Sequence, residues 1–450
     1  MGQLISTFYP GRVWNDTAGN AVQAHGGGIL WDEPTQKYYW YGEQKQEPNL
    51  SGSSVQSIGV AVYSSTDLYN WVNEGLALPV FNNPEFFLAD PHITDDTPMY
   101  LRESAPEYRS ALAEAEQNLR AKYNTLELLA SGEAIEKLND LYSGVPAEEK
   151  KRLFRSLNWN RVIERPKVVY NRKDRRYVMW FHSDGPDYRS YLEAQAGVAV
   201  SDSPTGPFRY LGSSRPNGLM SRDMTLFQDE DGTAYLIHAA EDNKVLAIEK
   251  LSNDYTAVTG EYTKNYTDSR EAPAMFRHDG RYYLITSGCT GWRPNTAEVS
   301  SADNPMGPFR KEDRKNPCVG ADADLTFYGQ STFVLPLHDK KDRFIFLADK
   351  WNPSRLSDSR YLWLPLQVDG TGEITITWFS RWNLGQLDAL NDGRRDKLDT
   401  ALKRARDLGT DGKPTDRQRI AGLLAKAFEL APDAEKETCD RLADEILALL

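Results

Sequence analysis

Two stretches decide the reading of this chain: His25-Gly-Gly-Gly-Ile-Leu, followed by Lys37-Tyr38-Tyr39-Trp40-Tyr41, and Glu164-Arg-Pro-Lys-Val-Val, followed by Arg176-Tyr177-Val178-Met179-Trp180. Each is a polar residue, a short apolar run, a polar turn and an aromatic-rich run, which is the pattern of a β-hairpin. The pattern returns at Asp223-Met-Thr-Leu-Phe with Ala234-Tyr235-Leu236-Ile237, at Glu271-Ala-Pro-Ala-Met-Phe with Arg281-Tyr282-Tyr283-Leu284-Ile285, and at Gln330-Ser-Thr-Phe-Val-Leu with Arg343-Phe344-Ile345-Phe346. A second half recurs too, as Gly59-Val-Ala-Val-Tyr-Ser, Gly197-Val-Ala-Val-Ser and Ala297-Glu-Val-Ser-Ser. Small sheets repeated about every forty to sixty residues cannot bury both faces alone and need a neighbour on each side, as propeller blades have. The chain is therefore expected to be all-β, a five-bladed propeller, with His25, Glu164, Asp223, Glu271 and Gln330 opening the innermost strands and converging on the axis. For any one of these residues a hydrogen bond to a neighbouring strand is an equal account; for five in register, convergence is the better one.

Two regions break the β pattern. Residues 97–160 turn rich in Ala, Leu, Glu and Lys, with Leu112, Ala115, Leu119, Tyr123 and Leu126 at helical spacing, and predict an α-helical insertion between blades 1 and 2. Residues 387–450 are helical again, with one stripe of Leu398, Leu402, Ala405 and Leu408 and another of Ile420, Leu423, Ala427 and Phe428. The expected organisation is an N-terminal segment with blade 1 over 1–96, the insertion, blades 2–5 over 161–386, and a helical C-terminal extension. The connection that carries the insertion ends at Glu164, on the face where the polar residues meet, so the insertion is a candidate cap for the site, with a structural or self-associating role as the alternative.

A chain of 450 residues with 40% hydrophobic and 11% aromatic residues can build one large core plus an appendage. Its 11 Trp and 23 Tyr exceed what a plain scaffold needs, and aromatic faces suit sugar rings. A net charge of −12 argues against a nucleic-acid partner. No stretch is apolar enough to predict a membrane span. The three cysteines, Cys289, Cys318 and Cys439, are far apart, and neither a disulfide framework nor a metal-ligand cluster is predicted. The start Met1-Gly-Gln-Leu-Ile-Ser lacks the features of a signal peptide, which fits a processed chain as well as a cytoplasmic one.

Asp223 and Glu271 are the pair expected to carry chemistry. Two carboxylates across a pocket are what glycoside hydrolysis uses, and their mutual repulsion keeps one of them protonated as an acid. Glu271, before an apolar strand, is the candidate acid. Glu43 and Glu241 follow inner hairpins and are candidates to bind sugar hydroxyls, while Trp292 and Trp351 are candidate sugar platforms; solvated turns and core packing are the respective alternatives.

The motifs Gln23-Ala-His25-Gly-Gly-Gly, Ile163-Glu-Arg-Pro-Lys-Val-Val, Ser221-Arg-Asp-Met-Thr-Leu-Phe, Glu271-Ala-Pro-Ala-Met-Phe, Ser287-Gly-Cys-Thr-Gly-Trp292 and Ala348-Asp-Lys-Trp-Asn-Pro353 resemble glycoside hydrolase family 43, in particular its exo-β-1,3-galactanase and β-galactosidase branch. The resemblance covers about residues 10–95 and 160–386. It implies an inverting enzyme releasing galactose from β-1,3-linked galactan, with Glu271 as general acid and Asp223 as the carboxylate that tunes it. Much of that family places an aspartate base on blade 1, where this chain has His25. In the galactanase branch, glutamine at the position of Gln330 and glutamate at that of Glu164 compete for the water-activating role. The resemblance further implies that Cys289 and Thr290 line the pocket and that His25 binds substrate or completes an axial ion site. No cofactor is expected, an axial calcium is not asserted, and a secreted or periplasmic setting is implied. An arabinofuranosidase or xylosidase, and a silent glycan-binding propeller, are the rival readings.

Overall fold

The computed structural model describes residues 4–45, 49–51, 54–55, 57–80, 141–157, 161–185, 191–408 and 414–450. Five sheets follow one another along the chain. The first runs His25–Asp32, Lys37–Glu43, Gly59–Ser65, Val72–Pro79 and the second Val162–Asn171, Arg176–Asp184, Gln195–Ser201, Arg209–Ser214. The third runs Met224–Gln228, Ala234–Ala240, Val245–Leu251, Val258–Lys264, and the fourth has three strands, Arg270–His278, Arg281–Gly288 and Glu298–Ala302. In the fifth, Gln330–Pro336, Phe344–Lys350, Arg360–Val368 and Ile374–Thr377 are joined at the outer edge by Cys318–Val319, the one parallel pairing among these strands.

Strand alternation explains why the sheets stack as blades. In the second blade Val178 and Trp180 pack toward blade 3 with Met224 and Leu226, whereas Met179 and Phe181 pack toward blade 1 with Tyr41 and Val62. Both faces of a middle strand are thus buried, each against a different neighbour. The same holds between blades 3 and 4 through Ile237, Ile248 and Leu284, and between blades 4 and 5 through Ile285 and Phe346. Trp40, Trp71 and Trp363 fill the seam between blades 5 and 1. There the N-terminal segment also ties the ring shut, with Phe8 and Trp382 exchanging backbone hydrogen bonds of 2.8 and 3.2 Å. This is the five-bladed all-β propeller, and its five cores lie between blades rather than within them.

The expected insertion over 97–160 lies mostly outside the described residues. Of it, the helix Ala147–Ser156 is described, and Leu153 and Leu157 pack with Tyr142, Ala77 and Tyr210 at the outer rim of blades 1 and 2. The C-terminal helices are present as Leu387–Leu390, Asp396–Leu408, Pro414–Glu429 and Lys436–Leu447. Leu398, Leu402, Ala427, Cys439, Leu442 and Ile446 form their shared core. They are seated on the outer edge of blade 5, where Arg406 donates to the carbonyls of Asn316 and Cys318, both at 2.9 Å.

Candidate active site

At the entry of four innermost strands the ladder slips. The register shifts between His25 and Gly28, Glu164 and Lys167, Glu271 and Ala274, and Ser331 and Phe333. A β-bulge inserts a residue and re-aims the side chains beside it. In three of these bulges the residue after the polar one is left-handed: Gly26 at φ +58°, Arg165 at +54° and Ala272 at +51°. Pro166 and Pro273 follow two of them, in places where the interrupted ladder needs no N–H.

The bulges gather an open pocket of about 380 Å³ lined by Glu43, Lys45, Glu164, Arg165, His182, Tyr191, Arg222, Asp223, Asn243, Glu271, Gly291, Trp292, Gln330 and Trp351. Its centre is the Arg165 guanidinium, buried on the axis. One terminal nitrogen of Arg165 lies 3.0 Å from Asp223 Oδ2 and donates to Gln330 Oε1 at 2.5 Å, while the other donates to the Ser331 carbonyl at 2.8 Å. Blades 3 and 5 are thereby held to one side chain of blade 2.

Glu271 Oε1 accepts from Gln330 Nε2 at 3.0 Å and Oε2 from Asn243 Nδ2 at 2.9 Å. Burial first, then the charge of Asp223, push its carboxyl up to about 7 against the pull of Arg165. A carboxylic acid that keeps its proton near neutrality is what general acid catalysis asks for. Cys289 hydrogen-bonds Glu271 from the side.

Glu164 is in the opposite state. Burial alone would raise it, but the His182 hydrogen bond, the charges of Lys45 and His182 and the Tyr191 hydroxyl outweigh burial and bring it down to about 2. His182 Nδ1 lies 3.1 Å from Glu164 Oε2 and Nε2 lies 3.1 Å from Asp184 Oδ2, and Tyr191 donates to Glu164 Oε1 at 2.9 Å. Despite burial, the bonds to those two carboxylates raise His182 to about 9, so it stands as a cation between them. Glu43 joins this side through Lys45, whose Nζ lies 2.7 Å from Glu43 Oε2 and 3.9 Å from Glu164 Oε1. Gln330 uses its whole amide: beyond Arg165 and Glu271 it accepts from Trp351 Nε1 at 3.0 Å and donates to Ser287 Oγ at 3.2 Å.

Of the residues singled out in the sequence, Glu43, Glu164, Asp223, Glu271, Trp292, Gln330 and Trp351 line this pocket. Cys289 is not among the lining residues and meets the site only through its hydrogen bond with Glu271, and three more are placed elsewhere. His25 is wholly buried behind the wall, its Nδ1 3.2 Å from Asp349 and its ring stacked on Tyr361 at 4.9 Å, because the bulge at Gly26 turns it into the seam between blades 1 and 5. Glu241 sits in a left-handed turn at φ +51°, and Asn243, two residues on, reaches the pocket instead. Thr290 closes its own loop, its hydroxyl bonded to the Arg293 carbonyl and to Asn295. Arg165, His182, Tyr191, Asn243 and Lys45 were not singled out. Arg165 and Lys167 carried a signal all the same, two cations at the head of an apolar inner strand.

The model of glycosyl hydrolases family 43 matches residues 167–359. No curated protein matches. Among solved structures, the chain is 36% identical to a family 43 β-1,3-galactosidase solved with galactodeoxynojirimycin, covering 84% of this chain and 100% of that one with a TM-score of 0.63. It is 30% identical to a variant of the exo-β-1,3-galactanase from Phanerochaete chrysosporium with β-1,3-galactotriose, covering 84% of this chain and 68% of that one with a TM-score of 0.60. An exo-β-1,3-galactanase from Clostridium thermocellum is 27% identical, with 84% of this chain and 66% of that one covered and a TM-score of 0.59. With 36% identity over 84% of this chain and the whole of a family 43 β-1,3-galactosidase, and with the family model in agreement, the chain belongs to glycoside hydrolase family 43.

Proposed function

We propose that this glycosidase is exo-acting and inverting, and releases galactose from β-1,3-linked galactan or galacto-oligosaccharides. The observation that carries the reading is Glu271, a carboxyl raised to about 7 beside the charge of Asp223 in a pocket built from all five blades. The substrate class rests on the likeness to β-1,3-galactosidase and exo-β-1,3-galactanases. In the reaction Glu271 gives its proton to the glycosidic oxygen as the bond to the anomeric carbon breaks. A water attacks the opposite face and loses a proton, and galactose leaves with its anomeric configuration inverted. Asp223 maintains the acid's pKa and, with Glu164 and Glu43, presents carboxylate oxygens to sugar hydroxyls. A second lobe of about 300 Å³ lies beyond Trp292 and Trp351, lined also by Tyr328, Lys350 and Arg293, and offers room for the departing chain.

The water-activating role lies between Glu164 and Gln330, and each has a visible handicap. Glu164 is ionised but weakly basic, its oxygens already holding His182 and Tyr191. Gln330 bonds the acid itself at 3.0 Å, whereas acid and base of an inverting enzyme stand about 6.5–9.5 Å apart across the sugar. Its Oε1 accepts two donors, Arg165 and Trp351, which favours the amide over the imidic tautomer. Azide rescue separates the two: the variant lacking the true base, Glu164→Ala or Gln330→Ala, regains turnover with azide and forms an α-galactosyl azide.

The whole reading is tested by assaying β-1,3-galactobiose beside nitrophenyl galactoside, arabinofuranoside and xyloside, with Glu271→Gln as control. Galactobiose cleavage abolished by that substitution is expected. Cleavage of only the arabinofuranoside or xyloside overturns the substrate, and inertness toward all four with retained galactoside binding overturns the enzyme in favour of a binding module.

A further inference from the structure

We propose that Lys167 is a positioning residue for this reaction: its Nζ, buried on the propeller axis beneath the pocket, binds the peptide carbonyls of two bulges and so aims Glu43 and Arg165. The inference rests on the glycosidase reading above. Lys167 is 2% exposed, and its Nζ donates to the carbonyl of Gly26 at 2.7 Å and to that of Arg165 at 3.4 Å. Among the described residues no carboxylate lies within ion-pair distance of it. Burial first, and then the charge of Arg165, bring this amine down to about 7. Burying an amine without a counter-charge is costly, and a position that needed only packing would be better filled by Leu or Met.

The surroundings are shaped to admit this side chain. A Cβ on Gly28 would fall 2.6 Å from Lys167 Cδ, and one on Gly26 would fall 2.2 Å from Glu43 Oε1. The glycine run after His25 is thus the space taken by Lys167 and Glu43. The peptide unit of Gly26 is gripped from two blades, its N–H by Asp349 Oδ2 at 2.7 Å and the next carbonyl along, its own, by Lys167. The N–H of Arg165 donates to Glu43 Oε1 at 2.8 Å, while its guanidinium meets Asp223 and Gln330. A slip at the Arg165 carbonyl therefore moves three groups that line the pocket, although Lys167 itself lines the apolar cavity of about 330 Å³ on the other side.

The test is steady-state kinetics of Lys167→Met and Lys167→Ala on a galactoside that the unaltered chain cleaves. Misplacement of reacting groups by about 1 Å costs roughly 10²-fold, so kcat of Lys167→Met is expected to fall by about that factor while KM changes by less than about threefold. Propylammonium, which replaces the atoms missing in Lys167→Ala, is expected to enter through the cavity and restore kcat, whereas 1-propanol does not. Retention of kcat within about threefold by Lys167→Met, or equal rescue by 1-propanol, overturns the proposal. If circular dichroism shows that neither variant folds, Gly28→Ala displaces the lysine from its seat, and unchanged kcat there overturns it equally. Failure of the unaltered chain to cleave any galactoside overturns the galactoside-cleaving reading instead.

Discussion

The innermost strands carry two different surfaces along one axis. At their entry, four of them are bulged, and three of the bulges aim Glu164, Arg165, Glu271 and Gln330 into a polar pocket. A few residues on, the same strands run in regular register and present Leu30, Val168, Leu226, Met275 and Leu335 around an apolar cavity. Regular alternation sends each side chain to one of two neighbouring blades, which builds the fold but leaves nothing pointed along the axis. The bulges interrupt that rule, and Glu164, Arg165, Glu271 and Gln330 reach the pocket where it is interrupted. Blade 3 is instructive because its strand Met224–Gln228 has no shift, and its acid, Asp223, stands just before the strand instead.

The two surfaces can be separated by substitution. Glu271→Gln, at the bulged end, removes the proposed proton donor and is expected to lower kcat/KM on β-1,3-galactobiose by about 10³-fold or more, with thermal stability unchanged or raised. Gly26→Ala attacks the bulge itself, since φ of +58° and a Cβ 2.2 Å from Glu43 Oε1 cannot both be kept; kcat is expected to drop by about 10²-fold. Leu226→Ala, at the regular end, should do the reverse, costing about 3 kcal/mol in urea unfolding while kcat stays within about twofold. If Leu226→Ala instead abolishes turnover with its stability intact, the two ends are not independent.

The pH profile sharpens the same contrast with a smaller effect. As the proposed general acid Glu271 must be protonated to act, and its carboxyl is raised to about 7, so activity is expected to be lost as pH rises through about 7. Asp223→Asn removes a negative neighbour and should move that alkaline limb to lower pH, read from kcat/KM across pH 4–9. Removal of Glu241, which lies in its turn outside the pocket, should change neither limb nor turnover.

Period-two strands, aromatic second strands and polar turns made the hairpins legible, and five repeats made the blades legible, since these depend on local pattern. The acids Asp223 and Glu271 were legible for the same reason. His25 was not: its offset matched the others, but Gly26 rotates the backbone and delivers the ring to Asp349 and Tyr361. Tyr191 and Asn243 reach the pocket from loops, and no spacing in the sequence announces which loop residue lands against Glu164 or Glu271. Arg165 was visible inside Glu164-Arg-Pro-Lys167 but read as part of a strand, because its role comes from closure of the ring, which sets Ser331, Asp223 and Gln330 around it.

The most direct measurement is a proton NMR time course of the hydrolysis of methyl β-1,3-galactobioside, whose leaving unit is a methyl galactoside and not free galactose, by the unaltered chain and by Glu271→Gln. Inversion requires that the newly released galactose appear first as the α-anomer and mutarotate afterwards, and the substituted chain is expected to release essentially none. First appearance of the β-anomer, or undiminished release by Glu271→Gln, would contradict it.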